Sequence, residues 1–80
     1  MDRTELESQI FEIIAQLYKK DEEELTLETR FAEDLGGASV LMVGLVSEIE
    51  NELDVMIQLQ DAAACETVGD LVDKVEEEME

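Results

Sequence analysis

The chain contains no histidine and no proline, and among its 80 residues it has a single cysteine, Cys65. Histidine is the commonest general base and metal ligand near neutral pH, and no serine nucleophile here has one to activate it. A lone cysteine excludes an internal disulfide. The acidic run Asp21–Glu24 lacks the alternating spacing and central glycine of a calcium loop. The sequence therefore predicts neither an independent enzyme nor a metal site.

Basic residues are also scarce, with 5 lysines and arginines against 23 acidic residues and a net charge of −18. So negative a surface repels nucleic acid phosphates and anionic membranes, and its natural complement is a basic partner surface. The apolar run Val40–Val43 is far shorter than the ~20 residues of a membrane span, and the start does not resemble a signal peptide. We therefore expect a cytoplasmic, soluble protein with no nucleic acid partner and no membrane insertion.

Helical periodicity is the main pattern present, in a chain that is 45% apolar but only 4% aromatic. Thr4 and Glu7 predict a capping box at the start of a first helix, and Lys19 and Lys20 are placed in its last turn. Its inward face recurs at intervals of three and four residues: Leu6, Ile10, Ile13, Ile14 and Leu17.

Three further helices follow a long connection, residues 21–38. The second is expected at about Ser39–Leu53, a short third at Leu59–Ala64, and a last one opened by the Thr67 and Asp70 cap. Apolar side chains are expected to hold the connection on the core: Leu25, Leu27, Phe31 and Leu35. The predicted fold is an all-α four-helix bundle, with three longer helices, one short helix and a long loop between the first two, forming one domain over residues 1–80.

Ser39 is the residue whose position suggests chemistry. It follows the Gly36-Gly37 turn and opens the second helix, where backbone N–H groups and the helix dipole favour an anion such as a phosphodiester. The same spacing also fits a plain N-cap serine, so at this point both interpretations stand.

Several segments together resemble the acyl carrier protein family over nearly the whole chain: Phe31–Gly36 in the loop, Ser39, Ile49–Asp54, and Thr67-Val68. The resemblance implies that Ser39 carries 4′-phosphopantetheine, whose thiol holds acyl groups as thioesters. It further implies a monomeric carrier that serves fatty-acid, lipid or polyketide-type biosynthesis. Its expected partners are a phosphopantetheinyl transferase and acyl transferases, ketosynthases or acyl-activating enzymes.

The chain departs from that family where partner enzymes usually find acidic residues. Ala38 replaces the usual aspartate before the serine, Leu41 and Gly44 replace common acids after it, and three later positions are also uncharged: Leu59, Gln60 and Ala63. These departures indicate a specialised, free-standing carrier. A peptidyl or aminoacyl carrier, an unmodified docking or regulatory protein, and an acidic bundle that buffers cations remain alternatives.

Two sets of residues are predicted around Ser39. On the second helix Val40 falls opposite the core stripe and Leu41 at its edge, which predicts an apolar partner face. The predicted partner-binding residues are Val40, Leu41, Val43 and Glu50. The resemblance suggests that an acyl chain inserted in the bundle is lined by Met42, Val46 and Cys65, although these residues equally fit a role as plain core.

Overall fold

The computed structural model describes residues 2–36 and 39–79, apart from the side chain of Ser39. Its four α-helices confirm the predicted all-α bundle with three longer helices and one short one. They are α1 (Arg3–Tyr18), α2 (Ser39–Leu53), α3 (Leu59–Ala63) and α4 (Val68–Met79), with a 3₁₀ turn at Glu22–Glu24 between α1 and α2.

The first helix begins earlier than the sequence pattern predicted. Asp2 is its N-cap, and the backbone N–H of Glu5 donates to Oδ1 of Asp2 at 2.9 Å. The predicted Thr4 capping box is therefore wrong, because Asp2 already satisfies the free N–H groups of the first turn. The helix ends at Tyr18, so Lys19 lies just beyond the last turn, in a left-handed conformation with φ of 56°.

The core is largely aliphatic and is built from the inward faces of all four helices. The residues with no exposed surface come from α1, α2, α3 and α4: Ile10, Ile14, Leu45, Ile49, Ala62, Val68, Leu71, Val72 and Val75. Fully burying a side chain such as Ile or Leu stabilises a fold by about 1.5–3 kcal/mol, so this set supplies most of the driving force.

The long loop is attached to the start of α4 by backbone hydrogen bonds. The N–H of Phe31 donates to the carbonyl of Glu66 at 3.0 Å, and the N–H of Val68 donates to the carbonyl of Thr29 at 2.9 Å. Four side chains were predicted to hold this loop on the core. Leu25, Phe31 and Leu35 are buried, and Leu27 is partly buried against the core. The loop is therefore held at both its side chains and its backbone before it reaches α2.

The cap predicted at the start of α4 is present in full. The N–H of Asp70 donates to Oγ1 of Thr67 at 3.1 Å, and Oδ2 of Asp70 accepts from the N–H of Thr67 at 3.3 Å. This reciprocal pair is a capping box, which satisfies two backbone donors at the helix start.

Candidate functional site

The backbone makes Ser39 the first residue of α2, a helix of 15 residues. The chain approaches it through Gly36, whose φ of 87° lies in the left-handed region and whose missing side chain faces open space. Glycine adopts this conformation without strain, so it suits the turn that leads into the helix. Gly37 and Ala38, which complete the predicted turn, lie outside the described residues, as does the side chain of Ser39.

The first turn of α2 differs in charge from the other helices described. It carries no acidic residue, whereas the first turns of α1, α3 and α4 contain Glu5, Asp61 and Asp70 respectively. The first four backbone N–H groups of an α-helix have no partner within the helix, and the helix dipole adds partial positive charge there. In a chain with a net charge of −18, this turn is thus suited to an anion.

The outward side of α2 next to Ser39 is apolar. Val40 is 82% exposed and Val43 is 49% exposed, as expected for residues opposite the core stripe. Leu41 is different, because it is half-buried and packs against the core. Leu41 was predicted as part of an apolar partner face, but at the edge of the stripe its side chain reaches the interior and is only partly available to a partner. Glu50, farther along the helix, is half-buried.

An exposed apolar residue that sequence interpretation missed lies after α2. Met56 is 83% exposed, while Ile57 beside it is 4% exposed and belongs to the core. The segment between α2 and α3 is not helical, and in extended backbone successive side chains point to opposite sides. Because Val55, Met56 and Ile57 are all apolar, the sequence carries no signal that separates the exposed residue from the buried one. Leu59, at the start of α3, is also exposed, at 45%.

The residues suggested as an acyl lining belong to the core or border it. Met42 and Val46 are both buried on α2, and Cys65 is partly buried against the same cluster. The Cys65 thiol donates to the carbonyl of Asp61 at 3.5 Å. Burial, followed by the negative charge of Asp70, raises the pKa of Cys65 above its ordinary value. Its thiol is consequently protonated and a poor nucleophile at neutral pH.

A polar cavity lies between α1 and α2. It has a volume of about 270 Å³ and is lined by Gln9, Glu12, Ile13, Gln16, Glu48 and Glu52. Within residues 2–36 and 39–79, no three or more acidic, cysteine or histidine side chains are arranged to hold a metal ion. None of the helices described is both long and apolar enough to cross a membrane.

Comparison with known proteins agrees with this geometry. The family described as "Phosphopantetheine attachment site" matches residues 8–75. An acyl carrier protein of Clostridium perfringens is 41% identical over 69 residues, which cover 86% of this chain and 91% of that protein. An acyl carrier protein of an Exiguobacterium species is 33% identical over 76 residues, covering 95% of this chain and 96% of that protein.

The chain belongs to the acyl carrier protein family, so the predicted resemblance is confirmed. Its members are carriers rather than enzymes, and the cofactor of the family is 4′-phosphopantetheine. The start of α2 fits this group, because its first turn lacks acidic residues and Val40, next to Ser39, is exposed. Family membership also implies biosynthetic enzymes and a phosphopantetheinyl transferase as partners.

Proposed function

We propose that Ser39 is the attachment residue, holding 4′-phosphopantetheine through a phosphodiester, and that the whole chain, residues 1–80, acts as one monomeric carrier domain in the cytoplasm. The observation that carries this proposal is that the first turn of α2 contains no acidic residue. Backbone N–H groups and the dipole at that turn stabilise the phosphodiester charge. Ser8 and Ser47, in contrast, lie within helices.

The protein itself contributes position rather than chemistry. When attached, the arm supplies a thiol that holds an acyl group as a thioester. The loop, fixed to α4 by the Phe31 and Val68 hydrogen bonds, leads the chain into α2 from a defined direction. A tether on such a body raises the concentration of its cargo at each partner active site without any new contact.

Intact mass spectrometry after treatment with coenzyme A and a phosphopantetheinyl transferase tests the assignment. Wild type should gain one phosphopantetheine, and Ser39→Ala should gain none while staying folded, because Ser39 is the first residue of α2 and alanine is a good helix former. Ser47→Ala is the matched control, since Ser47 is an exposed serine on the same helix; it should be modified like wild type. Modification of Ser39→Ala, or failure of wild type with every transferase tried, would refute the site.

The apolar side of α2 supports a specialised set of partners. Generic carriers present acidic residues beside the serine, which steer them to basic enzymes. Here Val40 and Val43 are exposed instead, and exposed apolar patches generally mark interaction sites. We therefore place Val40 and Val43, with Leu41 and Glu50 at their border, at a partner face for enzymes of a dedicated lipid or polyketide-type pathway rather than of general fatty-acid synthesis.

Salt dependence of loading distinguishes an apolar face from a charged one. For wild type, kcat/KM with a housekeeping transferase should fall only moderately between low and moderate NaCl, because salt screens the overall charge of the chain but not the apolar contact beside Ser39. Val40→Asp with Val43→Asp should raise kcat/KM at low salt and make it fall steeply as salt is added. Met79→Asp, on an exposed site of α4, is the control and should behave like wild type. Equal salt slopes for all three proteins would contradict the proposed face.

A further inference from the structure

The hydroxyl of Tyr18 is a buried polar atom with no hydrogen-bond partner among the described residues. The side chain is 8% exposed and lies against Phe31, with ring centroids 6.3 Å apart. Burial raises the pKa of Tyr18, as expected in apolar surroundings. Thr29, another buried polar residue, is satisfied, because its Oγ1 accepts from the N–H of Thr26 at 2.9 Å. An unpaired buried hydroxyl is uncommon in folded proteins and calls for an explanation.

Tyr18 belongs to the same buried core cluster as Met42 and Val46, and α1 and α2 run antiparallel. A side-chain methyl of Leu17 lies 3.7 Å from the position that a Cβ on Gly44 would take. Tyr18 follows Leu17 but faces the core, so it is level with the turn of α2 that contains Met42 and Val46. At 1.5 Å per residue, that level is about 5–10 Å along the helix from Ser39.

An acyl chain that enters the bundle from Ser39 would pass this hydroxyl. A plain hydrocarbon chain offers it no acceptor, whereas a chain with a hydroxyl oxygen offers one. Making that hydrogen bond satisfies a hydroxyl that has no partner among the described residues, so the oxygenated chain binds more favourably than the plain chain.

We propose that Tyr18 is a specificity-determining residue, whose hydroxyl hydrogen-bonds to an oxygen substituent on the carried acyl chain. The protein then shelters hydroxyacyl chains better than unsubstituted chains of equal length. This inference rests on the proposed function and deepens it by naming the class of cargo.

Thioester protection measures the preference directly. Wild type and Tyr18→Phe are each loaded with a hydroxyacyl group and with an unsubstituted acyl group of equal length, and each product is verified by intact mass. Cleavage by excess hydroxylamine is then timed relative to the same thioester on free pantetheine, which cancels intrinsic reactivity. A net hydrogen bond of typical strength corresponds to about a fivefold difference. Wild type should protect the hydroxyacyl group about fivefold better, and Tyr18→Phe should lose that advantage.

Thr29→Val is the matched control, since it deletes a buried hydroxyl that already has partners. Thr29→Val should keep the wild-type ratio of hydroxyacyl to unsubstituted thioester protection, even if it lowers the protection of both thioesters. The inference is wrong if wild type and Tyr18→Phe give the same ratio of hydroxyacyl to unsubstituted protection, which is the result expected if the Tyr18 hydroxyl bonds only to water. It is also wrong if Thr29→Val abolishes the preference for the hydroxyacyl chain. Failure of wild type to load appears earlier, in the mass measurement, and refutes the proposed function together with this inference.

Discussion

Two glycines on helices offer a matched test of how the long loop is held. Gly69, in the first turn of α4, donates its N–H to the carbonyl of Leu27 at 2.8 Å. A Cβ added at Gly69 would lie 2.9 Å from that same carbonyl oxygen. A Cβ added at Gly44, in α2, would instead meet a methyl of Leu17 at 3.7 Å, an ordinary contact. The same substitution to alanine should therefore have opposite effects at the two positions.

The expected magnitudes follow from these distances. Alanine in a helix interior is favoured over glycine by about 0.5–1 kcal/mol, so Gly44→Ala should stabilise by that amount. At Gly69 the neighbour is backbone and cannot rotate away, so the loop must shift and weaken its hydrogen bond. Overpacking of this kind costs about 1–3 kcal/mol, which exceeds the gain in helix propensity. Each kcal/mol moves the melting temperature of a domain this size by roughly 4–8 °C.

Urea unfolding followed by far-UV circular dichroism gives both free energies, and the m-value shows whether the compactness of either state changed. Native-state hydrogen exchange adds a local readout: in Gly69→Ala the amides of Phe31 and Val68 should exchange faster, since they bond the same loop to α4. Those amides should keep their protection in Gly44→Ala. If both variants shift stability in the same direction, the close backbone approach at Gly69 does not govern the attachment of the loop.

Two further outcomes follow from charge. Because a net charge of −18 repels itself, the melting temperature should rise from low to moderate NaCl, and more with millimolar magnesium; a flat profile would show that the fold does not feel this repulsion. Burial raises the pKa of Cys65 from its ordinary 9.0 and that of Tyr18 from 10.0. The folded state therefore holds these protons more tightly than the unfolded chain, so the free energy of unfolding should fall as pH rises above about 9. In Cys65→Ala this fall, followed by urea titrations across alkaline pH, should be shallower; parallel curves for variant and wild type would contradict the assignment.

Local signals were enough to predict most helix boundaries. The α2 range was predicted at Ser39–Leu53 and is found there, because Gly36-Gly37 interrupts the chain just before an apolar periodic run. The start of α1 was predicted wrongly because Asp2 and Thr4 are both good N-caps and either start leaves Leu6 on the inward face. Competition between two neighbouring caps is decided by which side chain reaches a free N–H, and sequence spacing alone does not record that.

Contacts between segments that are distant in the sequence could not be predicted from local patterns. The bridge between Arg30 and Thr67 joins a loop to a helix start without any periodic pattern to indicate it. Nothing in the sequence around Gly69 indicates that the carbonyl oxygen of Leu27 lies close to its backbone in the folded chain. Leu41 was placed correctly at the edge of its helix face, yet how far an edge residue is buried depends on the neighbouring elements.

The arrangement of the few cations bears on how this acidic bundle tolerates an added phosphodiester. Arg3, at the start of α1, pairs with Glu7, Asp73 and Glu76 at 2.8–3.0 Å and so links α1 to α4. Since α1 and α2 run antiparallel, Arg3 lies at the end of the bundle remote from Ser39. Ion pairs thus relieve repulsion at the end remote from Ser39, and Arg30 also pairs with Glu33 at 3.5 Å in the loop before α2, whose first turn carries no acidic residue. Both effects are electrostatic, so added salt weakens the exposed ion pairs and also weakens the attraction of an anion to the helix start. The attachment end is therefore best suited to the phosphodiester charge at low ionic strength.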